Sequence, residues 1–169
     1  SEGDVPDLYV SGRHELDDGK DLNENTDTHY GADDGIGTFN WRLLFDLKVP
    51  CRDPRLLLRV WNKRWLQHEP LAEVTLDLSR DFQRARKENT AIELPRGSVR
   101  LTHPSYPGEV CGLLELEGLL LPEDEASMRL VGAGREEPNE DPFLDGEDPH
   151  LKSHRDYFES LGIIQNLKV

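Results

Sequence analysis

One short stretch of the chain combines the residue types that suit a membrane interface. Lys63, Arg64, Trp65 and Leu66 stand together in a polar segment, residues 62–70, between two apolar ones. An indole ring prefers the headgroup level of a bilayer, and lysine and arginine attract lipid phosphates. The pattern therefore predicts a membrane-contact loop. The competing interpretation is structural: the indole packs back on the fold and the two cations form a solvated edge.

Three arginines on the preceding segment would extend a basic patch toward this loop. They are Arg52, Arg55 and Arg59. A local patch matters because the formal net charge of the chain is −14, and such a charge repels anionic membranes. The same charge argues against non-specific nucleic-acid binding, which requires a basic surface.

Other reactive residues lack a productive spacing. Residues 21–29 begin like an EF-hand calcium loop, but Thr26 and Ala32 stand where that loop needs glycine and glutamate. The six histidines show no metal-ligand spacing. Cys51 and Cys111 lie sixty residues apart, which favours two reduced thiols, with Cys111 buried as packing rather than used as a nucleophile. With no phosphate-binding loop and no serine elbow, we predict no enzyme activity and no small-molecule substrate.

Alternating apolar residues indicate the fold that carries the loop. The clearest case is residues 38–47, where Phe39, Trp41, Leu43, Phe45 and Leu47 share one face of a predicted strand after a Gly/Asp turn at 31–37. Further strands are predicted at 7–12, 26–30, 55–61, 71–78, 92–94, 98–102 and 110–121, with a polar loop at 13–25 and a short helix at 79–88 that begins with a Ser79 cap. Strands without helix–strand alternation predict an all-β antiparallel sandwich.

The C-terminal quarter has a different composition. Residues 122–150 carry ten carboxylates against two arginines, so we expect an extended or disordered linker after a domain at 1–121. Residues 151–169 end with apolar side chains and are predicted to form a short amphipathic helix. No apolar run is long enough to span a bilayer, and the absence of an initial Met suggests a piece of a longer protein.

Several of these segments resemble the carboxy-terminal C2 domains of the ferlin family. The similarity lies in residues 7–12, 26–30, 35–42, 57–61 and 71–78, and in the acidic Asn/Pro-containing segment 132–142. The Phe39, Asn40, Trp41, Arg42 block is its most specific part. The resemblance implies about seven strands of an eight-stranded C2 sandwich, in a large, tail-anchored cytoplasmic protein of calcium-linked vesicle fusion and membrane repair. The transmembrane helix would lie beyond residue 169, and the first strand of the domain would precede residue 7.

The resemblance also identifies where calcium would bind. At the positions of the family's calcium ligands, this sequence keeps oxygen-bearing side chains only at Asp7, Asn62 and Glu69. Lys63 and Arg64 put positive charge where the ion would sit. We therefore expect calcium binding to be weakened or lost.

The sequence thus predicts a phospholipid-binding C2 module associated with a membrane surface. The alternative is a calcium-independent scaffold domain that binds a protein partner and no lipid. Because the resemblance places the first strand before residue 7, we also predict an unpaired sheet edge beside residues 7–12 or beside the last strand.

Overall fold

The structure is a computed structural model that describes residues 5–39 and 41–128 together with the backbone of residues 166–168. The elements in chain order are β1 (Leu8–Glu15), β2 (Asp21–Asn25), β3 (Leu44–Asp46), β4 (Arg55–Asn62), β5 (Glu69–Asp77), α1 (Ser79–Glu88), β6 (Ile92–His103), β7 (Tyr106–Leu121), α2 (Glu123–Met128) and β8 (Asn166–Lys168). The predicted all-β fold is confirmed.

The strands form two layers that are continuous through one weak junction. Their order is β2-β1-β4-β5-β6-β7-β8-β3, and neighbours are antiparallel except for β8, which runs parallel to β3 and β7. Strands β5 and β6 share a single residue pair, Glu73 with Thr102, so the sheet turns the corner there. Strand β4 lies between β1 and β5, as its apolar sequence predicts for a central strand.

The core lies between the layers and includes the face predicted for residues 38–47. Phe39, Leu43, Phe45 and Leu47 are buried there against apolar residues of β1, β4 and β7. The length of the predicted strand is wrong, because only Leu44–Asp46 pairs with another strand among the described residues. The alternation therefore reports which side chains are buried and not which backbone groups are paired.

Gly12 of β1 is required by the close packing of these two layers. A Cβ atom at this position would lie 2.8 Å from Cζ of Phe45 and 3.1 Å from Cδ1 of Leu43. We expect Gly12→Val to lower the free energy of unfolding by about 1–3 kcal/mol, because the ring of Phe45 has to move from its packed position. Urea denaturation measures this loss.

The matched control is Gly108→Val, since a Cβ atom at Gly108 meets no atom within 4 Å. Its expected effect is within about 0.5 kcal/mol. Equal losses for the two variants would show that valine weakens these strands through backbone effects and that the contact with Phe45 does not matter.

Two N-terminal predictions are corrected. Residues 21–25, predicted as a loop, form strand β2, and residues 26–30, predicted as a strand, contribute only the bridge between Leu8 and His29. The reason is that β2 is an outer strand with mostly exposed side chains, so it carries no apolar alternation. Helix α1 forms as predicted, but Ser79 is its first residue and not its cap; the Asp77 carboxylate accepts hydrogen bonds from both the backbone N–H and the hydroxyl of Ser79.

The predicted unpaired edge is wrong where it was placed on β1, which pairs with β2 on one side and β4 on the other. At the end of β7, residues 166–168 supply a short strand beside Leu120 and Leu121, which also contradicts the prediction there. Within the described residues, 106–119 of β7 pair only with β6.

The C-terminal segments also differ from expectation where they are described. Helix α2 occupies the start of the predicted linker, and β8 lies in the segment predicted to be helical. The remainder of both predictions, residues 129–165 and Val169, lies outside the described residues.

Candidate functional site

One end of the sandwich gathers four chain segments, which together we call the tip. Strand β1 begins there, β4 ends there and β5 begins there, since Leu8 pairs with Asn62 and Asn62 with Glu69. Strand β6 runs antiparallel to β5 and ends at the same level in the turn to β7. The tip comprises residues 5–7, 30–37, 63–69 and 103–109.

The loop that joins β4 to β5 projects two apolar side chains into solvent. Trp65 is 98% exposed and Leu66 is 92% exposed. The interpretation in which Trp65 packs back on the sheet is therefore wrong. Contiguous exposed apolar side chains are typical of surfaces that contact a protein partner or a membrane.

Four more large apolar residues lie exposed in the other tip segments, the first being Val5, which is 47% exposed. Tyr30 is 49% exposed, Ile36 is 63% exposed and Tyr106 is 62% exposed. The loop 30–37 stays close to the sandwich because the backbone N–H of Thr38 donates to Nδ1 of His29, which bridges to β1. Sequence reasoning missed this set, since single apolar residues in loops give no periodic signal.

Lys63 ties two tip segments together. Its ammonium donates a hydrogen bond of 2.9 Å to the Tyr30 hydroxyl and one of 3.5 Å to Oγ1 of Thr28. Nζ also lies 5.2 Å from the centre of the Tyr30 ring, within the range of a cation–π interaction. The side chain of Lys63 is thus directed toward the neighbouring segment.

The backbone beneath Lys63 is held by Asp7 and Asn62. The N–H of Lys63 donates to the Asp7 carbonyl at 2.7 Å, and the N–H of Asp7 donates to Oδ1 of the buried Asn62 at 3.0 Å. Oδ1 of Asp7 in turn accepts from the N–H of Gly31 at 2.9 Å. These contacts fix the three segments relative to one another without any charge other than the Asp7 carboxylate.

The remaining charged residues of the tip loop pair with each other. Nε of Arg64 lies 3.0 Å from Oε2 of Glu69, across the base of the loop. On the outer face, Nδ1 of His68 and the Tyr9 hydroxyl share a hydrogen bond of 2.7 Å, and burial raises the pKa of that hydroxyl. Both ends of the loop are therefore anchored, while Trp65 and Leu66 stand between the anchors.

Sequence comparison identifies relatives of this chain. It is 40% identical over 153 residues to Ferlin 1 of Toxoplasma gondii, an alignment that covers 90% of this chain and 10% of that protein. It is 33% identical over 128 residues to Ferlin 2 of Tetrahymena thermophila, an alignment that covers 75% of this chain and 8% of that protein. Mouse myoferlin is 27% identical to this chain over 192 residues, an alignment that covers 84% of this chain and 9% of myoferlin.

The chain belongs to the ferlin family. It spans about a tenth of the length of these curated relatives. No protein-family model matches the chain. The relatives and the sandwich together support a ferlin-like C2 domain, as the resemblance in the sequence implied.

The ferlin resemblance implies calcium, but the oxygens available at this tip do not fit a calcium site. Oδ1 of Asn62 is occupied by the Asp7 N–H, Glu69 is paired with Arg64, and Asp7 accepts from Gly31. Calcium needs six to eight oxygens that converge on one point. In the described part of the chain, no group of three or more His, Cys, Asp or Glu side chains is placed to hold a metal ion.

The predicted basic patch is not assembled in this ferlin domain. Arg52 and Arg55 lie at the start of β4, at the opposite end of the strand from the tip, and Arg55 pairs with Asp53. Nη2 of Arg59 lies 2.6 Å from Oε2 of Glu73. Its guanidinium carbon Cζ lies 5.3 Å from the centre of the Trp61 ring. The structure therefore does not add these cations to the tip loop.

Two smaller predictions can also be placed. Cys111 is exposed, which contradicts its predicted burial, because the half of β7 next to the tip is itself exposed on both faces. Cys51 is half-buried beside His14, and burial raises the pKa of its thiol, which lowers the fraction of nucleophilic thiolate at neutral pH. Neither helix in the described ranges has the length and apolar content required to cross a bilayer.

Proposed function

We propose that this ferlin domain is a membrane-contact module that places Trp65 and Leu66 in the interface of a phospholipid bilayer. The observation that carries the proposal is the exposure of these two side chains at the end of an anchored loop. An indole at the headgroup level and a leucine just below it match the polarity gradient of a bilayer. Tyr30, Ile36 and Tyr106 add exposed apolar side chains in the other segments of the tip.

We also propose that this contact does not depend on calcium. In a metal-dependent tip, the ion would bring the loops together and supply the positive charge. Here the Lys63 ammonium links residues 28–30 to the tip loop, and Asp7 and Asn62 link the backbones. The tip is therefore ordered for contact before any ion binds.

Within a whole ferlin, such a module would hold the protein against a vesicle or plasma membrane during fusion or repair. The tip carries the apolar contact, and helix α2 and strand β8 lie at the other end of the sandwich, where β7 ends.

The test is flotation of the 169-residue chain with phosphatidylcholine vesicles in millimolar calcium and in excess chelator. We expect the same bound fraction in both conditions. Binding that appears only with calcium would contradict the metal-independent contact. No binding to any vesicle would refute the membrane function and favour the alternative of a scaffold domain for a protein partner.

A further inference from the structure

The tip has more negative than positive charge, although its loop contains two cations. Its described residues include two basic side chains and five acidic ones, a formal charge of −3 with neutral histidines. The acidic residues are Asp7, Asp33, Asp34, Glu69 and Glu109. A surface with this balance is repelled by anionic lipid at distances within about 8 Å, the Debye length in physiological salt.

Both tip cations already have partners in the protein. Lys63 donates to Tyr30 and Thr28 and lies over the Tyr30 ring, and Arg64 pairs with Glu69. To reach a lipid phosphate, each side chain would first have to leave these contacts. The charge of Arg64 is offset by Glu69, while the Lys63 ammonium keeps its charge but is directed toward the Tyr30 segment.

The apolar side chains of the tip are open to solvent instead. The two most exposed, Trp65 and Leu66, are close to the exposure of isolated residues, and Ile36 and Tyr106 are more than half exposed. Burying them in the acyl boundary gains free energy in proportion to the apolar area removed from water, whatever the headgroup charge.

We infer that the tip selects a bilayer by access to its apolar interior and not by negative surface charge. The surface it fits is zwitterionic and loosely packed, as found on small, strongly curved vesicles. This inference rests on the proposed membrane contact and specifies the class of lipid surface. It replaces the expectation from sequence that Lys63 and Arg64 attract lipid phosphates.

The experiment is flotation of the 169-residue chain with four vesicle types, small sonicated and large extruded, each made with and without phosphatidylserine. We expect stronger binding to the small vesicles and no gain from phosphatidylserine at any salt concentration. If Lys63 and Arg64 contacted lipid freely, each would raise binding to anionic vesicles about fivefold at low salt. A preference of that size that disappears in high salt would overturn the inference. Absence of binding to all four types would instead refute the membrane contact, and the inference with it.

A variant with fewer tip carboxylates tests the same inference by comparing two proteins on identical vesicles. Asp33→Asn, Asp34→Asn and Glu69→Gln together remove three tip carboxylates, one of which is the Glu69 partner of Arg64. The amide oxygen introduced at position 34 keeps an acceptor for the Ile36 N–H, so the turn is preserved. We expect the ratio of anionic to zwitterionic vesicle binding to rise about fivefold relative to the unsubstituted chain, because the repulsion by the three carboxylates is removed.

The matched control changes the net charge equally but away from the tip, by Glu15→Gln, Glu24→Gln and Glu93→Gln, all of which are exposed. It should keep the lipid preference of the unsubstituted chain. Equal shifts in both triple variants would show that total charge, and not the tip, governs lipid selection, and would overturn the inference.

Discussion

Replacing Trp65 and Leu66 together with alanine is expected to abolish most vesicle binding. Burial of one large apolar side chain contributes at least about 1.5 kcal/mol, so the two contribute about 3 kcal/mol, on the order of a hundredfold in the partition coefficient. Both side chains are more than nine-tenths exposed, so their removal leaves the core intact. Flotation against a vesicle titration measures the change, and urea denaturation should show unaltered stability.

The matched control is Leu113→Ala. Leu113 is a large apolar residue of β7 with 66% exposure, but it lies outside the tip. Its removal should lower vesicle binding less than about twofold, because an apolar residue away from the interface stays in water on both sides of the equilibrium. A loss of binding as large as that of the tip variant would mean that vesicles attract any exposed apolar residue of this chain and that the tip is not a specific contact.

The largest expected effect on stability comes from Phe45→Ala. Phe45 is 1% exposed, and its ring fills the space above Gly12 between the two layers. Removing a buried phenyl ring costs about 3–5 kcal/mol, which is a large share of the roughly 5–15 kcal/mol that stabilises an ordinary domain. Urea denaturation should show a much lower midpoint with little change in slope.

The neighbouring Leu44 provides the comparison, because it lies on the same short strand but faces outward. We expect Leu44→Ala to change the free energy of unfolding by less than about 1 kcal/mol. If Phe45→Ala cost no more stability than Leu44→Ala, the inter-layer contact of Phe45 would be minor.

The sequence predicted the elements that have a strong apolar period. Strands β4, β5 and β7 and helix α1 fall close to their predicted bounds, because burial of one face imposes a local pattern that can be read without knowing the partners. Strand β2 was missed for the converse reason, since its side chains are mostly exposed and its pairing with β1 leaves no trace in residue polarity.

The candidate site could be predicted only as a list of residue types. The order of residues along the chain places Lys63 and Trp65 in one loop. It does not show that Lys63 donates a hydrogen bond to Tyr30, 33 residues earlier. Nor does it show that Asn62 accepts the N–H of Asp7, 55 residues earlier. These contacts depend on the register between β1 and β4, which sets distant residues side by side. The direction of β4 also puts Arg52 and Arg55 at its far end, away from the loop they were predicted to extend.

The most direct test of the membrane contact uses the three tryptophans of the chain as separate reporters. Trp65 lies at the tip, Trp61 lies on the outer face beside Tyr9, and Trp41 packs against the core. With fluorotryptophan in the 169-residue chain and a spin label on the lipid headgroup, the fluorine resonance of Trp65 should broaden strongly on vesicles, while those of Trp61 and Trp41 change little. The Trp65→Phe variant assigns the resonance. Strong broadening of Trp61 with a sharp Trp65 resonance would contradict tip-first contact and place a different face of the domain on the membrane.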